Sequence, residues 1–149
     1  MKQSNNSGDF EVLNTKSLQI LVDILRRESG SLLSYVSGAS LWTSHKTVPA
    51  LTSIEHITKA HATLLTHLGQ FVVKNKSPLP PMHMYPSSFT GLHFVSLKYL
   101  LPLLIQTEQL STKQLEDDID RLNNNVFPLL NELLYIKTNG LTVLQSIRV

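Results

Sequence analysis

The sequence predicts an all-α protein built as a four-helix bundle, with a long Pro-rich connection between the second and third helices. Three observations lead there. Apolar residues recur on three- and four-residue steps in four separate stretches, which is the spacing of amphipathic helices. Four of the seven prolines crowd into residues 78–86, where no helix can continue. At 149 residues, with 42% hydrophobic and 16% charged, the chain suits one domain around one core and is too apolar for a disordered tail.

Residues 1–13 are polar, hold Asn5, Asn6, Ser7 and Gly8, and lack the apolar centre of a secretory signal. They are expected to form a loose N-terminal tail, with residues 14–149 as the single domain. Asn14 or Thr15 can cap helix A, whose apolar positions Leu18, Leu21, Leu25, Leu32, Tyr35 and Ala39 carry it toward Pro49. Helix B follows between Pro49 and Asn75 on the stripe Ile54, Ile57, Leu64, Leu68 and Phe71. From Asn75 to Ser87 the prolines 78, 80, 81 and 86 forbid helix, because proline lacks an N–H and biases its predecessor to extended geometry.

Helix C is expected to start near Ser87 or Ser88 and to run through Phe89, Leu92, Val95, Leu97, Leu100, Leu101, Leu104 and Ile105. Apolar on most of its circumference, it should be buried on several sides, and Pro102 inside it should remove one hydrogen bond and kink the axis. Helix D is expected to begin at Ser111, which with Gln114 makes a capping box, while Leu110 staples against Leu115. Its seam reads Leu115, Ile119, Leu122, Val126, Leu129, Leu133, Ile136, Val143 and Ile147, with Gly140 in the one missing place and a break at Pro128 or at Asn139-Gly140. The acidic residues Glu116, Asp117, Asp118 and Asp120 would then favour the positive end of that helix's dipole.

The link bears on topology. Thirteen extended residues at about 3.1 Å each reach about 40 Å, against roughly 33 Å for a helix of about 22 residues. The link can therefore run the length of the bundle, leaving helices B and C parallel, whereas an up-down-up-down arrangement needs only a short turn.

Composition excludes several function classes. There is no cysteine, hence no disulfide, thiolate nucleophile or Cys-based metal site. The charge of +2 comes from 13 basic and 11 acidic residues without a basic run, so no nucleic-acid partner is implied. The longest apolar stretch, Phe94 to Ile105, is interrupted by Ser96, Lys98 and Pro102 and is too short to span a bilayer, so the cytoplasm is the expected location. Nucleophile elbows, phosphate-binding Gly loops and dinucleotide fingerprints are absent.

Two polar residues occupy seam positions. Glu28 lies between Leu25 and Leu32, and His61 between Ile57 and Leu64, each at helical spacing. Buried, they need a partner, since an unpaired carboxylate or imidazole in a core costs several kcal/mol. The simplest solution is a Glu28–His61 pair, or a Glu28 contact with Tyr35 or Tyr99. The alternative is metal ligation, with His93 as a third ligand for zinc.

The order of these features resembles the ferritin-like superfamily of four-helix bundles: a Glu on helix A, a polar pair three apart on helix B, a long link and two more helices. The segments Leu25-Arg26-Arg27-Glu28-Ser29 and Tyr85-Pro86-Ser87-Ser88-Phe89-Thr90 through Tyr99-Leu100-Leu101-Pro102 are similar to those of uncharacterised bacterial members. In di-iron members a Glu on each of two helices joins a Glu-x-x-His on each of the other two. The resemblance puts Glu28 in the helix A ligand position and His61 in the helix B histidine position, but Thr58 stands where the second glutamate belongs. Helix C offers only Glu108, at its far end, and helix D has no histidine. The resemblance thus implies the fold without the oxidase or iron-storage chemistry.

The expected function is accordingly a non-catalytic structural or interaction module. The rival is a metal-binding or redox bundle holding iron, manganese or zinc at Glu28 and His61. A third reading makes Ser111 to Val143 a winged-helix module with a hairpin wing at Tyr135 to Val143, but between Ser111 and Val149 the bases Lys113, Arg121, Lys137 and Arg148 are outnumbered by acids. The apolar surplus of helix C, with Trp42, Met82 and Met84, points to a homodimer.

Overall fold

A computed structural model describes residues 15–37, 47–92, 96–122 and 128–148. The expected tail over residues 1–13, His45, Trp42 and His93 lie outside them. The described chain is all-α, with helices α1 (Thr15–Ser29), α2 (Leu32–Val36), α3 (Val48–Lys74), α4 (Leu97–Arg121) and α5 (Pro128–Ser146). A 3-10 segment, Ser87–Leu92, precedes α4. None of these helices is long and apolar enough to cross a membrane.

The expected helix A is two helices. At Ser31 the backbone turns extended, and its hydroxyl accepts from the Ser34 N–H while donating to the Glu28 carbonyl. A serine that caps the next helix ends the previous one, because it diverts the backbone groups that would continue the ladder. Helix α3 has the predicted bounds within a residue, with Pro49 in its first turn where a missing N–H is harmless. It ends in a Schellman arrangement: Ser77 N–H donates to Val72 O, Lys76 N–H to Val73 O, and Lys76 takes the left-handed conformation at φ 68°.

Helix C begins later than expected. Ser96, not Ser87 or Ser88, caps α4 by accepting from the Tyr99 N–H, and residues 87–92 form the 3-10 turn instead. Pro102 lies inside α4 with its ring exposed, so the carbonyl of Lys98 that it leaves unpaired is on the wet side of the helix.

The expected onset of helix D at Ser111 is overturned. Ser111 is in the middle of α4, its hydroxyl turned back to the Glu108 carbonyl, so the capping-box pattern there caps nothing. Helix α5 starts at Pro128 and runs unbroken through Asn139-Gly140, which is neither a stop nor a hairpin; Tyr135 to Val143 are helical. The acidic residues 116–120 therefore occupy the last turns of α4, where the dipole disfavours them. Asp118 is compensated by Arg27 and Arg121 instead.

Two clusters form the core. One joins Ile20, Leu21, Ile24 and Leu25 of α1 to Leu64, Leu65, Leu68 and Val72 of α3, Leu115 and Leu122 beside α4's end, and Leu130 and Leu133 of α5. The other joins α2 to Ile54 and Ile57 of α3, Leu97 to Leu104 of α4, and Leu144 of α5. Reading each helix from one cluster to the other gives its direction: α1–α2 and α5 run one way, α3 and α4 the other. Helices α3 and α4 are thus parallel, and the Pro-rich link spans between the two clusters, the arrangement that its length allowed. On the way Met82 packs on the first cluster, the His83 N–H donates to Ser29 Oγ, and Tyr85 and Phe89 stack against Tyr35 beside the second. Gly30 lets the link pass this close, since a Cβ there would lie 2.6 Å from the Met84 carbonyl oxygen.

Candidate functional site

Between the two apolar clusters lies a buried charged layer. Glu28, His61, Glu108 and Lys137, one from each of α1, α3, α4 and α5, are all at most 2% exposed. The expected Glu28–His61 pair is formed, with His61 Nε2 2.9 Å from Glu28 Oε1. Because an ionised carboxylate only accepts, Nε2 carries the proton.

Lys137 is the residue that sequence reasoning missed. Its Nζ lies 2.8 Å from Glu28 Oε1, 2.9 Å from Glu108 Oε1 and 2.8 Å from Ser111 Oγ. An ammonium has three donors, and all three are used. Glu108, expected at the far end of a helix, falls mid-way along α4 once that helix extends to Arg121. Ser111, expected as a cap, is an acceptor for the ammonium.

The electrostatics are settled by mutual neutralisation. Burial pushes the Glu28 carboxyl up, but the charge of Lys137 and the hydrogen bond and charge of His61 outweigh it and hold it at about 2, well below its ordinary 4.5. Burial likewise pushes the Lys137 ammonium down, and the Glu28 and Glu108 carboxylates overcome this and raise it. The layer extends outward through Arg27, whose Nη2 lies 2.9 Å from Asp118 Oδ2 as an ion pair without hydrogen-bond alignment. Arg121 reaches Asp118 Oδ1 at 3.2 Å. Three carboxylates, Glu28, Glu108 and Asp118, thus meet three cations, Arg27, Lys137 and Arg121.

The residues do not fit a metal ion. The position where a cation would bridge Glu28 and Glu108 is taken by the chain's own ammonium, at hydrogen-bond distance from both. Thr58, standing where the ferritin-like pattern has a glutamate, donates to the Glu55 carbonyl of its own helix. Among the described residues no group of three or more His, Asp or Glu side chains is arranged to hold a metal. His56 and His67 are exposed, and His83 Nδ1 lies 3.1 Å from the Tyr85 hydroxyl in the link.

The local pattern did not single out Lys137. The seam of α5 runs Leu130, Leu133, Lys137, Gly140 and Leu144, one step round from the expected Leu129, Leu133, Ile136, Gly140 and Val143. Gly140, where a Cβ would lie 3.0 Å from Ile57 Cγ2, belongs to both lines and does not choose between them. Comparison of the chain with protein-family models, curated proteins and solved structures gave no match.

Proposed function

We propose that the chain is a ferritin-like four-helix bundle acting in the cytoplasm as a non-catalytic structural or interaction module, its central polar site filled by a tethered ammonium in place of a metal ion. The observation that carries this reading is the saturation of Lys137 by Glu28, Glu108 and Ser111. An ammonium so held is raised in proton affinity and is therefore a poor nucleophile or base at neutral pH. Buried charge of this kind favours one arrangement of four helices over the registers that would leave a charge unpaired.

The rival, an iron, manganese or zinc site at Glu28 and His61, is favoured only by their convergence with Glu108 and would require Lys137 to leave. Metal analysis of purified, dialysed protein distinguishes the two. The proposal expects sub-stoichiometric metal and a melting temperature unmoved by added metal or chelator. Stoichiometric metal surviving dialysis overturns it. Neither nucleic acid nor a membrane is expected as a partner, and duplex DNA should show negligible salt-dependent affinity.

A further inference from the structure

Among the described residues, six buried side-chain atoms have no hydrogen-bond partner: Arg27 Nε and Nη2, Glu28 Oε2, Glu108 Oε2, Thr112 Oγ1 and Asp118 Oδ2. All of them belong to α1 or α4, so the unmet polar groups of the charged layer are confined to the contact between those two helices. Arg27 Nη2 and Asp118 Oδ2 are 2.9 Å apart and satisfy each other by a small turn of the guanidinium. Four atoms remain, two donors and two carboxylate acceptors. Glu28 Oε2 lies 3.8 Å from Arg27 Nε, and Glu108 stands four residues before Thr112 on one face of α4. The neighbouring donors are already spent. Lys137 gives its three hydrogens to Glu28 Oε1, Glu108 Oε1 and Ser111 Oγ, His61 Nε2 gives its own to Glu28 Oε1, and the Ser111 hydroxyl donates to the Glu108 carbonyl.

We propose that the α1–α4 contact holds two ordered internal waters. One accepts from the Arg27 Nε–H and donates to Glu28 Oε2; the other accepts from the Thr112 hydroxyl and donates to Glu108 Oε2. Glu28, Glu108 and Thr112 are all more than nine-tenths buried, and a polar group buried there without a partner is costly, so native cores pair such groups directly or through water. The 3.8 Å gap between Arg27 Nε and Glu28 Oε2 is too long for a direct hydrogen bond and short enough for one water to reach both atoms. Each pair offers one donor and one acceptor, which is the set that a water molecule matches. A metal ion would meet the guanidinium at the first pair and the Lys137 ammonium beside the second, and an anion would meet a carboxylate at either. Globular proteins hold about one internal water per 27 residues, so two in the most polar part of this core are in keeping with its size. The partly exposed Arg27 side chain lies between the first of them and solvent.

The inference rests on the reading that Lys137 fills this layer. Stoichiometric metal would sink that reading, whereas the measurement below is made on metal-free protein and sinks only the waters, so the two fail separately. Magnetic relaxation dispersion of the water oxygen nucleus reports internal waters held longer than the protein takes to tumble. Thr112→Val keeps the branched side chain and removes its hydroxyl; it should lower the dispersion amplitude by the contribution of one water, and Thr112→Ser should restore it. Arg27→Lys keeps the charge opposite Asp118 and lacks the Nε–H, and it should lower the amplitude by the same step. Thr107→Val is the control, because the Thr107 hydroxyl already donates to the Leu104 carbonyl, and it should change nothing. Circular dichroism checks that each variant keeps its helices. A crystal structure of the parent chain tests the same point without a variant: density within hydrogen-bond distance of both atoms of each pair is expected. No dispersion from the parent chain, an amplitude unchanged in Thr112→Val or in Arg27→Lys, or an equal fall in Thr107→Val overturns the proposal. So does a crystal structure in which Thr112 Oγ1 bonds Glu108 Oε2 directly.

Discussion

The Lys137 ammonium sits 2.8 Å from Glu28 Oε1 although the two residues are 109 positions apart in sequence. Both are fully buried. A contact of that separation forms only when α1 and α5 have met in the correct register, so the ion pair reports on the whole helical packing. It also sets the sign of several mutational effects.

Lys137→Met keeps most of the volume and removes the charge. Two buried carboxylates then face each other with only His61 and the partly exposed Arg27 nearby. Loss of one partner of a buried ionic network costs about 3–5 kcal/mol, a large part of the stability of a domain this size. Urea unfolding should show a lowered midpoint at unchanged m-value. A variant as stable as the parent would mean that Lys137 reaches solvent.

Glu28→Ala should cost about 3 kcal/mol and Glu28→Gln less, because the amide oxygen still accepts from Lys137 or His61. Replacing Glu28 and His61 together by leucine should not restore stability, since Lys137 and Glu108 stay charged. Only the set Glu28→Leu, Glu108→Leu and Lys137→Met removes the desolvation penalty on both signs, and it should recover much of the loss. Melting curves of the single, double and triple variants test the order.

Stability should fall in acid over a defined window. Glu28 has a folded-state value of about 2 against 4.5 when unfolded. A depressed carboxyl contributes stability that is fully present above the unfolded value and is lost as pH drops through the folded one. The contribution is about 3 kcal/mol above pH ~5 and declines between roughly pH 4.5 and 2. Lys137, raised by its carboxylates, acts with the opposite sign: its share is present below the ordinary 10.5 and is lost only as pH climbs through its higher folded value. Unfolding free energies from pH 2 to 7 should show the acid limb, and Glu28→Gln should flatten it.

How much of this was legible follows from which forces leave a trace in sequence. The helical class and the bounds of α3 could be read, because apolar period and proline placement act locally; the inward turn of Glu28 and His61 could be read too, but their pairing and the parallel α3 and α4 were each one of the arrangements that the sequence left open. The helix boundaries at Ser31, Ser96 and Ser111 could not be read equally well. A serine before an apolar run can cap, as Ser31 and Ser96 do, or turn its hydroxyl to the preceding carbonyl inside a helix, as Ser111 does. Tertiary demand decides between these, and at Ser111 the demand comes from Lys137. Lys137 itself was passed over because Leu129, Leu133 and Ile136 offered a second apolar line one step away, and since Leu133 and Gly140 belong to both lines only tertiary packing chooses between them.

The glycines give the last prediction, since Gly30, between α1 and α2, and Gly69 and Gly140, inside α3 and α5, differ in what a methyl group would meet. At Gly30 a Cβ would lie 2.6 Å from the Met84 carbonyl oxygen, a backbone atom of the Pro-rich link that cannot rotate away. At Gly69 the nearest atom is Leu79 Cδ2 at 3.3 Å, the tip of a side chain that is half exposed and free to turn. Gly140 is intermediate, facing Ile57 Cγ2 at 3.0 Å on a stiff β-branched side chain in the α3–α5 contact. Gly30→Ala should therefore cost about 1–3 kcal/mol by overpacking. Gly69→Ala should be neutral or stabilising by up to about 1 kcal/mol through helix propensity. Because the link is also tied to Ser29 by the His83 N–H, pushing it off Gly30 should loosen that hydrogen bond first. Hydrogen exchange at the His83 amide should accelerate in Gly30→Ala and stay unchanged in Gly69→Ala. Equal exchange in the two variants would show that the link is not seated on the α1–α2 break.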